Sequence, residues 1–149
     1  MHEIEPHCVV LIAEDDPDDR LLFGQAFREA RLPVDLRFVE DGEALMNYLR
    51  KKDECHESDP VPRPDLILLD LNMPKKGGRE VLEEIKTDPE LRSIPVVVCT
   101  TSSREEDIAQ SYARGASSFI VKPETYDGLL EAVRVFGNYW CKIAQLPAK

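Results

Sequence analysis

The chain has 149 residues, a net charge of −10 from 29 acidic and 19 basic side chains, and four cysteines. That length fits one domain able to bury a core without staples. Its acidity argues against direct nucleic-acid binding, because phosphates would repel it and no basic run exceeds Lys51-Lys52 or Lys75-Lys76.

Alternating apolar runs and helical patterns predict the elements in chain order. Cys8 to Ala13 reads as a buried strand that ends in Glu14-Asp15. Asp16-Pro17 then gives a helix start, with Asp16 as N-cap rather than metal ligand, and the helix runs to about Arg31. Val34 to Phe38 alternates, which predicts a half-exposed edge strand. A second helix is expected over about Gly42 to Lys51. A polar insert, Lys52 to Pro64, follows with prolines at 60, 62 and 64, and reads as an extended surface connector. Leu66 to Leu69 is the next buried strand and delivers Asp70; a third helix covers about Gly78 to Thr87. Val96 to Cys99 delivers Thr100. A capping-box pattern of Ser102-Ser103 with Glu105 and Glu106 predicts a fourth helix from there. Phe119 to Val121 delivers Lys122-Pro123, and the last helix is expected from Tyr126 to Ala144. Strands alternating with helices predict an α/β fold with a parallel sheet and right-handed crossovers.

In such sheets ligands bind where the carboxyl ends of the strands emerge. Glu14, Asp15, Asp70, Thr100 and Lys122 should therefore converge. Clustered carboxylates repel unless a cation sits among them, and Mg2+ (or Mn2+) suits oxygen ligands. Asp70 is the candidate nucleophile for an aspartyl phosphate, with the metal and the Lys122 amine offsetting phosphoryl charge and Thr100 donating to a phosphoryl oxygen.

From Asp70 to Thr100 is thirty positions and from Thr100 to Lys122 twenty-two. With Glu14-Asp15 ahead of them, the chain resembles the receiver domain of two-component response regulators, over roughly residues 8 to 137. The resemblance implies a doubly wound, flavodoxin-like sheet of five parallel strands in the order 2-1-3-4-5. It implies that Asp70 is phosphorylated, and that Asp15, Glu14, Asp70 and the backbone carbonyl of Asn72 hold the metal. Thr100 and Phe119 become the switch residues, although Phe119 also fits plain packing. A cis peptide is implied before Pro123. The long insert, Pro74-Lys75-Lys76 and the aromatic tail before Leu146-Pro147 resemble the stand-alone regulators that partner bacterial phytochrome kinases. Thr101 departs from the smaller residue usual after the switch hydroxyl, which narrows access for small phosphodonors.

The function expected is a phosphoaspartate switch served by a sensor histidine kinase of the phytochrome type, catalysing only its own phosphorylation and dephosphorylation. Two alternatives stand beside it. A phosphatase of the same chemistry would need an acid where Asn72 stands, and a pseudo-receiver binding module would need a damaged acidic cluster. No apolar leader or membrane span is seen, and no output domain is expected, so a cytoplasmic protein that binds neither membrane nor nucleic acid is expected. The cysteines at 8, 55, 99 and 141 lack metal-type spacing, and the three in or beside apolar patterns are expected as reduced thiols; the terminal and loop histidines suggest no metal.

The last helix carries an apolar arc of roughly 240°, more than one core needs. Leu129, Val133, Phe136, Trp140 and Ile143 form the central stripe. The surplus around Val135, Tyr139 and Leu146 must be covered either by the tail folding back or by a second copy of the chain. A symmetric homodimer through the last helix and its extension, residues 138 to 149, is the expectation.

Overall fold

A computed structural model describes residues 8–51 and 61–147. Most of the insert, with Cys55, His56 and Pro60, lies outside the described residues, as do His2 and His7. Five strands alternate with five helices: β1 (Cys8–Ala13), α1 (Pro17–Glu29), β2 (Val34–Val39), α2 (Gly42–Arg50), β3 (Leu66–Leu69), α3 (Gly78–Thr87), β4 (Val96–Thr100), α4 (Glu105–Ala113), β5 (Ser118–Val121) and α5 (Tyr126–Asn138). All strand pairs are parallel, in the order β2-β1-β3-β4-β5, the flavodoxin-like arrangement expected.

β1, β3 and β4 are buried at every position, as their unbroken Val, Ile and Leu runs require, whereas the edge strand β2 is half-buried throughout. Alternate strand residues feed two cores. Leu11, Ile67, Leu69, Val96 and Val98 pack with Leu45 and Leu49 of α2 and Val81, Leu82 and Ile85 of α3. Val10, Ile12, Leu66, Leu68, Val97 and Cys99 pack on the other face with Phe23 and Phe27 of α1 and Leu129, Val133 and Phe136 of α5. Phe27 and Phe136 meet edge to face at 6.1 Å, joining α1 to α5.

Two glycines let the loop after β3 lie close to its supports. A Cβ at Gly78 would stand 2.5 Å from the Asp70 carbonyl oxygen and 2.6 Å from Leu71 Cα. One at Gly42 would collide with the backbone oxygen of Lys76. The start of α3 thus rests directly on the backbone of Asp70.

Four expectations need correction. α4 starts at Glu105, with Arg104 as an N-cap that makes no side-chain hydrogen bond. The capping box does not form, because the Ser102 hydroxyl donates instead to Asp107 Oδ2 at 2.5 Å. α5 ends at Asn138, and a π-helical turn, Tyr139–Ile143, replaces its last stretch. The wider turn resets which side chains face the domain, so Leu146 packs on its own core with Trp140 and Cys141. Tyr139 and Val135 stay half-exposed or more, and Ile143 joins them at 67% exposure. Reduced thiols were expected at Cys8 and Cys141, yet the two sulfurs are bonded across 133 positions, with Cα atoms 5.6 Å apart. The tail's return past the start of β1 brings them together. Finally, no peptide bond among the described residues is cis, so Lys122-Pro123 is trans. The Lys122 N–H donates to the Thr100 carbonyl at 2.8 Å, and the chain leaves β5 with the amine already directed at the cluster.

Candidate phosphoacceptor site

The strand ends bring Glu14, Asp70, Thr100 and Lys122 together at the carboxyl edge of the sheet. Glu14 follows β1 and is pinned there by its backbone: its N–H donates to Val39 at 3.0 Å and its carbonyl accepts from Arg20 at 2.8 Å. Asp70 follows β3, where its N–H donates to Ala13 at 3.2 Å. Thr100 closes β4 and Lys122 follows β5. Asp16 caps α1 by accepting from the Asp18 N–H at 2.8 Å with its exposed side chain, while its backbone N–H donates to Glu14 Oε2 at 3.2 Å.

Asp70 lies at the centre and is only 6% exposed. Its Oδ1 accepts from the Thr100 hydroxyl at 2.9 Å and from the Asn72 N–H at 3.0 Å. Its Oδ2 accepts from Lys122 Nζ at 2.8 Å. The side-chain amide of Asn72 reaches Thr100 Oγ1 at 3.4 Å. Lys122 also donates to Glu14 Oε1 at 2.5 Å and to Asp19 Oδ2 at 3.0 Å. Phe119 packs partly buried against the α2–α3 core.

Burial pushes the Glu14 carboxyl up to about 7, opposed by its hydrogen bond to Lys122 and assisted by the nearby Asp70 charge. For Lys122, burial favours the neutral amine, but hydrogen bonds and charge from Asp70 and Glu14 outweigh it and hold the ammonium well above its ordinary value. Burial pushes the neighbouring Cys99 thiol up to about 12, which makes it inert packing rather than a nucleophile.

Ligand oxygens of Glu14, Asp15 and Asp70 all lie within 4.8 Å of one another. Two of these acids are buried and Asp15 is exposed, so the cluster opens to solvent on one side. An all-oxygen set of this size fits a hard divalent cation that keeps several waters.

A helical turn beyond Asp15, Asp19 enters the site unannounced by the spacing of strand ends. Its signal was there: four residues after Asp15, on the first turn of a helix, a side chain faces back along the axis.

The family model for the response regulator receiver domain matches residues 10–134. The chain belongs to that family. It is 40% identical over 146 residues to the response regulator Rcp1 of Synechocystis sp., covering 98% of this chain and 97% of the relative. The structure of Rcp1 in its Mn2+-bound form superposes with a TM-score of 0.85, covering 95% of this chain and 99% of that one. The phosphorylated cyanobacterial phytochrome response regulator RcpA is 42% identical, with a TM-score of 0.85 and coverage of 95% and 99%. RPA3017, a response regulator in red-light signalling of R. palustris, is 34% identical, with a TM-score of 0.88 and the same coverage. Proteins of this family are generally signalling switches, and among the described residues no helix is long and apolar enough to cross a membrane.

Proposed function

We propose that this receiver is a phosphoaspartate switch that takes its phosphoryl group from the phosphohistidine of a sensor kinase. One observation carries the reading. Asp70 is buried, with one oxygen held by Thr100 and Asn72 and the other by Lys122, and two further acids stand beside it. In the transfer an Asp70 oxygen bonds to phosphorus as the phosphorus–nitrogen bond to the kinase imidazole breaks, and the imidazole retains the electron pair. Glu14, Asp15, Asp70 and the Asn72 carbonyl would hold Mg2+ or Mn2+, which supplies charge neutralisation on the phosphoryl oxygens. Lys122 offsets charge from the other side, and Thr100 is released from Asp70 to donate to a phosphoryl oxygen. Phe119, on the strand that carries Lys122, moves with that release and passes it to the surface.

The phosphatase alternative lacks its acid, since Asn72 can donate but not protonate a leaving group. The kinase is of the phytochrome type by analogy with the phytochrome response regulator RcpA, and the likeness to RPA3017 of red-light signalling supports a light-responsive partner. Such a switch works in the cytoplasm, and its net charge of −10 disfavours nucleic acid as the direct target. The readout face is the apolar groove of Ile120, Ala132, Val135, Phe136 and Tyr139, which we assign to a two-fold contact with a second copy.

The test is labelling of the full chain by acetyl phosphate or a phosphorylated histidine kinase with Mg2+. Label should appear on Asp70 alone and vanish when the metal is chelated. Steady turnover of small phosphomonoesters would favour the phosphatase instead, and label that survives Asp70→Asn would overturn both.

A further inference from the structure

An ammonium group has three N–H donors, and Lys122 spends all three on carboxylates: Glu14, Asp19 and Asp70. Two of these acids belong to the metal cluster. Asp19 does not: it projects from α1, outside the group of oxygens that could share a cation. If Lys122 is to meet a phosphoryl oxygen, one of its three partners must give way.

The side-chain exposures rank the candidates. Glu14 is 2% exposed, Asp70 7% and Asp19 33%. Releasing a buried carboxylate strands it without water, whereas Asp19 can rehydrate at the opening it lines with Leu22, Pro123 and Glu124. Glu14 and Asp70 alone suffice to orient the amine. The third contact therefore does not hold Lys122 in place so much as occupy the donor that the reaction needs.

We propose that Asp19 is a positioning residue that acts as a brake: it competes with the incoming phosphoryl group for Lys122 and slows phosphorylation of Asp70. The inference rests on the phosphoryl-transfer reading above. It differs from the ordinary role of an acid in the first turn of a helix, which is to offset the backbone dipole. Asp18 offers that same role one residue earlier, is exposed, and has no bond to Lys122. It is thus an internal control of equal charge.

The experiment compares initial labelling rates of the full chain by acetyl phosphate with saturating Mg2+. Asp19→Asn and Asp19→Ala should each label about three- to tenfold faster than the unaltered chain at low ionic strength, the scale of one charge removed at close range. Asp19→Glu should return the rate toward the original, and Asp18→Asn should leave it unchanged. The advantage should shrink as salt is raised toward roughly 1 M, where screening reaches contact distances. A purely structural role would not give this salt dependence. Equal or slower labelling in Asp19→Asn, or the same acceleration in Asp18→Asn, overturns the brake while leaving the phosphoacceptor intact. No label on the unaltered chain overturns the phosphoryl-transfer reading itself.

Discussion

The carboxyl edge of the sheet and the outer face of β5 and α5 invert each other's chemistry. At the edge, charge is buried: Glu14 and Asp70 are 2% and 6% exposed and share one amine. On the outer face, grease is wet: Val135 is 62% exposed, Tyr139 50% and Ile143 67%. Each arrangement costs stability in an isolated chain, through repulsion in one case and through unburied apolar surface in the other. On the reading proposed above, each would be relieved by binding: a cation and a phosphoryl group would complete the first, and a second copy of the chain the second. Sites built to bind are where a fold departs from its own optimum.

The sharpest break of this comparison is Asp70→Asn. It removes the nucleophile, so labelling by acetyl phosphate should fall to background, read by mass spectrometry of the intact chain. Because it also relieves repulsion among Glu14, Asp15 and Asp70, the variant should melt no lower than the original. Next comes Lys122→Met, which leaves Glu14 and Asp70 facing each other with no amine between them. Labelling should drop by roughly a hundredfold or more, the scale of losing a preorganised charge partner.

Most of the edge was legible because strand-end chemistry is local. A buried run of four to six residues fixes where its last side chain emerges, so Glu14, Asp70, Thr100 and Lys122 could be placed from their positions alone. Asp19 was missed because it arrives by helix, from outside that pattern. The outer face was half legible. Its apolar excess was visible, but a 100° wheel cannot foresee the π turn at Tyr139–Ile143, which moved Leu146 inward and Ile143 outward. The Cys8–Cys141 bond was hidden for a related reason: 133 residues separate partners that meet only through the tail's return. The trans bond at Pro123 shows the limit of analogy, since the amine reaches its three acids without reversing the chain.

A third prediction probes the support beneath the site. The start of α3 rests on the Asp70 backbone, and backbone cannot swing aside as a side chain can. Gly78→Ala should therefore cost about 1–3 kcal/mol in chemical denaturation, the usual range for overpacking. Labelling should slow as well, because the displaced atoms belong to the acceptor itself. Gly77→Ala is the fair comparison, since nothing lies within 4 Å of a Cβ there.

A charge placed in the apolar groove tests the outer face. Val135→Glu or Tyr139→Glu should move the protein toward monomer in sedimentation at micromolar concentration, where the unaltered chain should sediment as a dimer. Leu146→Glu should act differently, lowering the melting temperature instead, because Leu146 serves its own core. A monomer at every concentration for the unaltered chain would assign the groove to some other occupant.

The smallest effect concerns the clasp between the two regions. Asp107 of α4 is buried and accepts from Ser102 at 2.5 Å, from Arg79 of α3 at 2.6 Å and from Arg104 at 3.3 Å. Ser102 lies two residues past Thr100, so the clasp ties the loop that follows Thr100 to α4. The Ser102 hydrogen bond, then that from Arg79, holds the Asp107 carboxyl well below its ordinary value of 3.8. A carboxylate with a lowered folded value binds fewer protons folded than unfolded, so its stabilisation is present above pH 3.8 and is lost as pH falls below it. Asp107→Asn keeps the shape and removes the charge. It should lower the denaturation midpoint at pH 7, and the gap to the unaltered chain should close progressively below about pH 4. A gap that stayed constant down to pH 2 would mean that Asp107 serves α4 through packing rather than charge, and that the loop after Thr100 is held by something else.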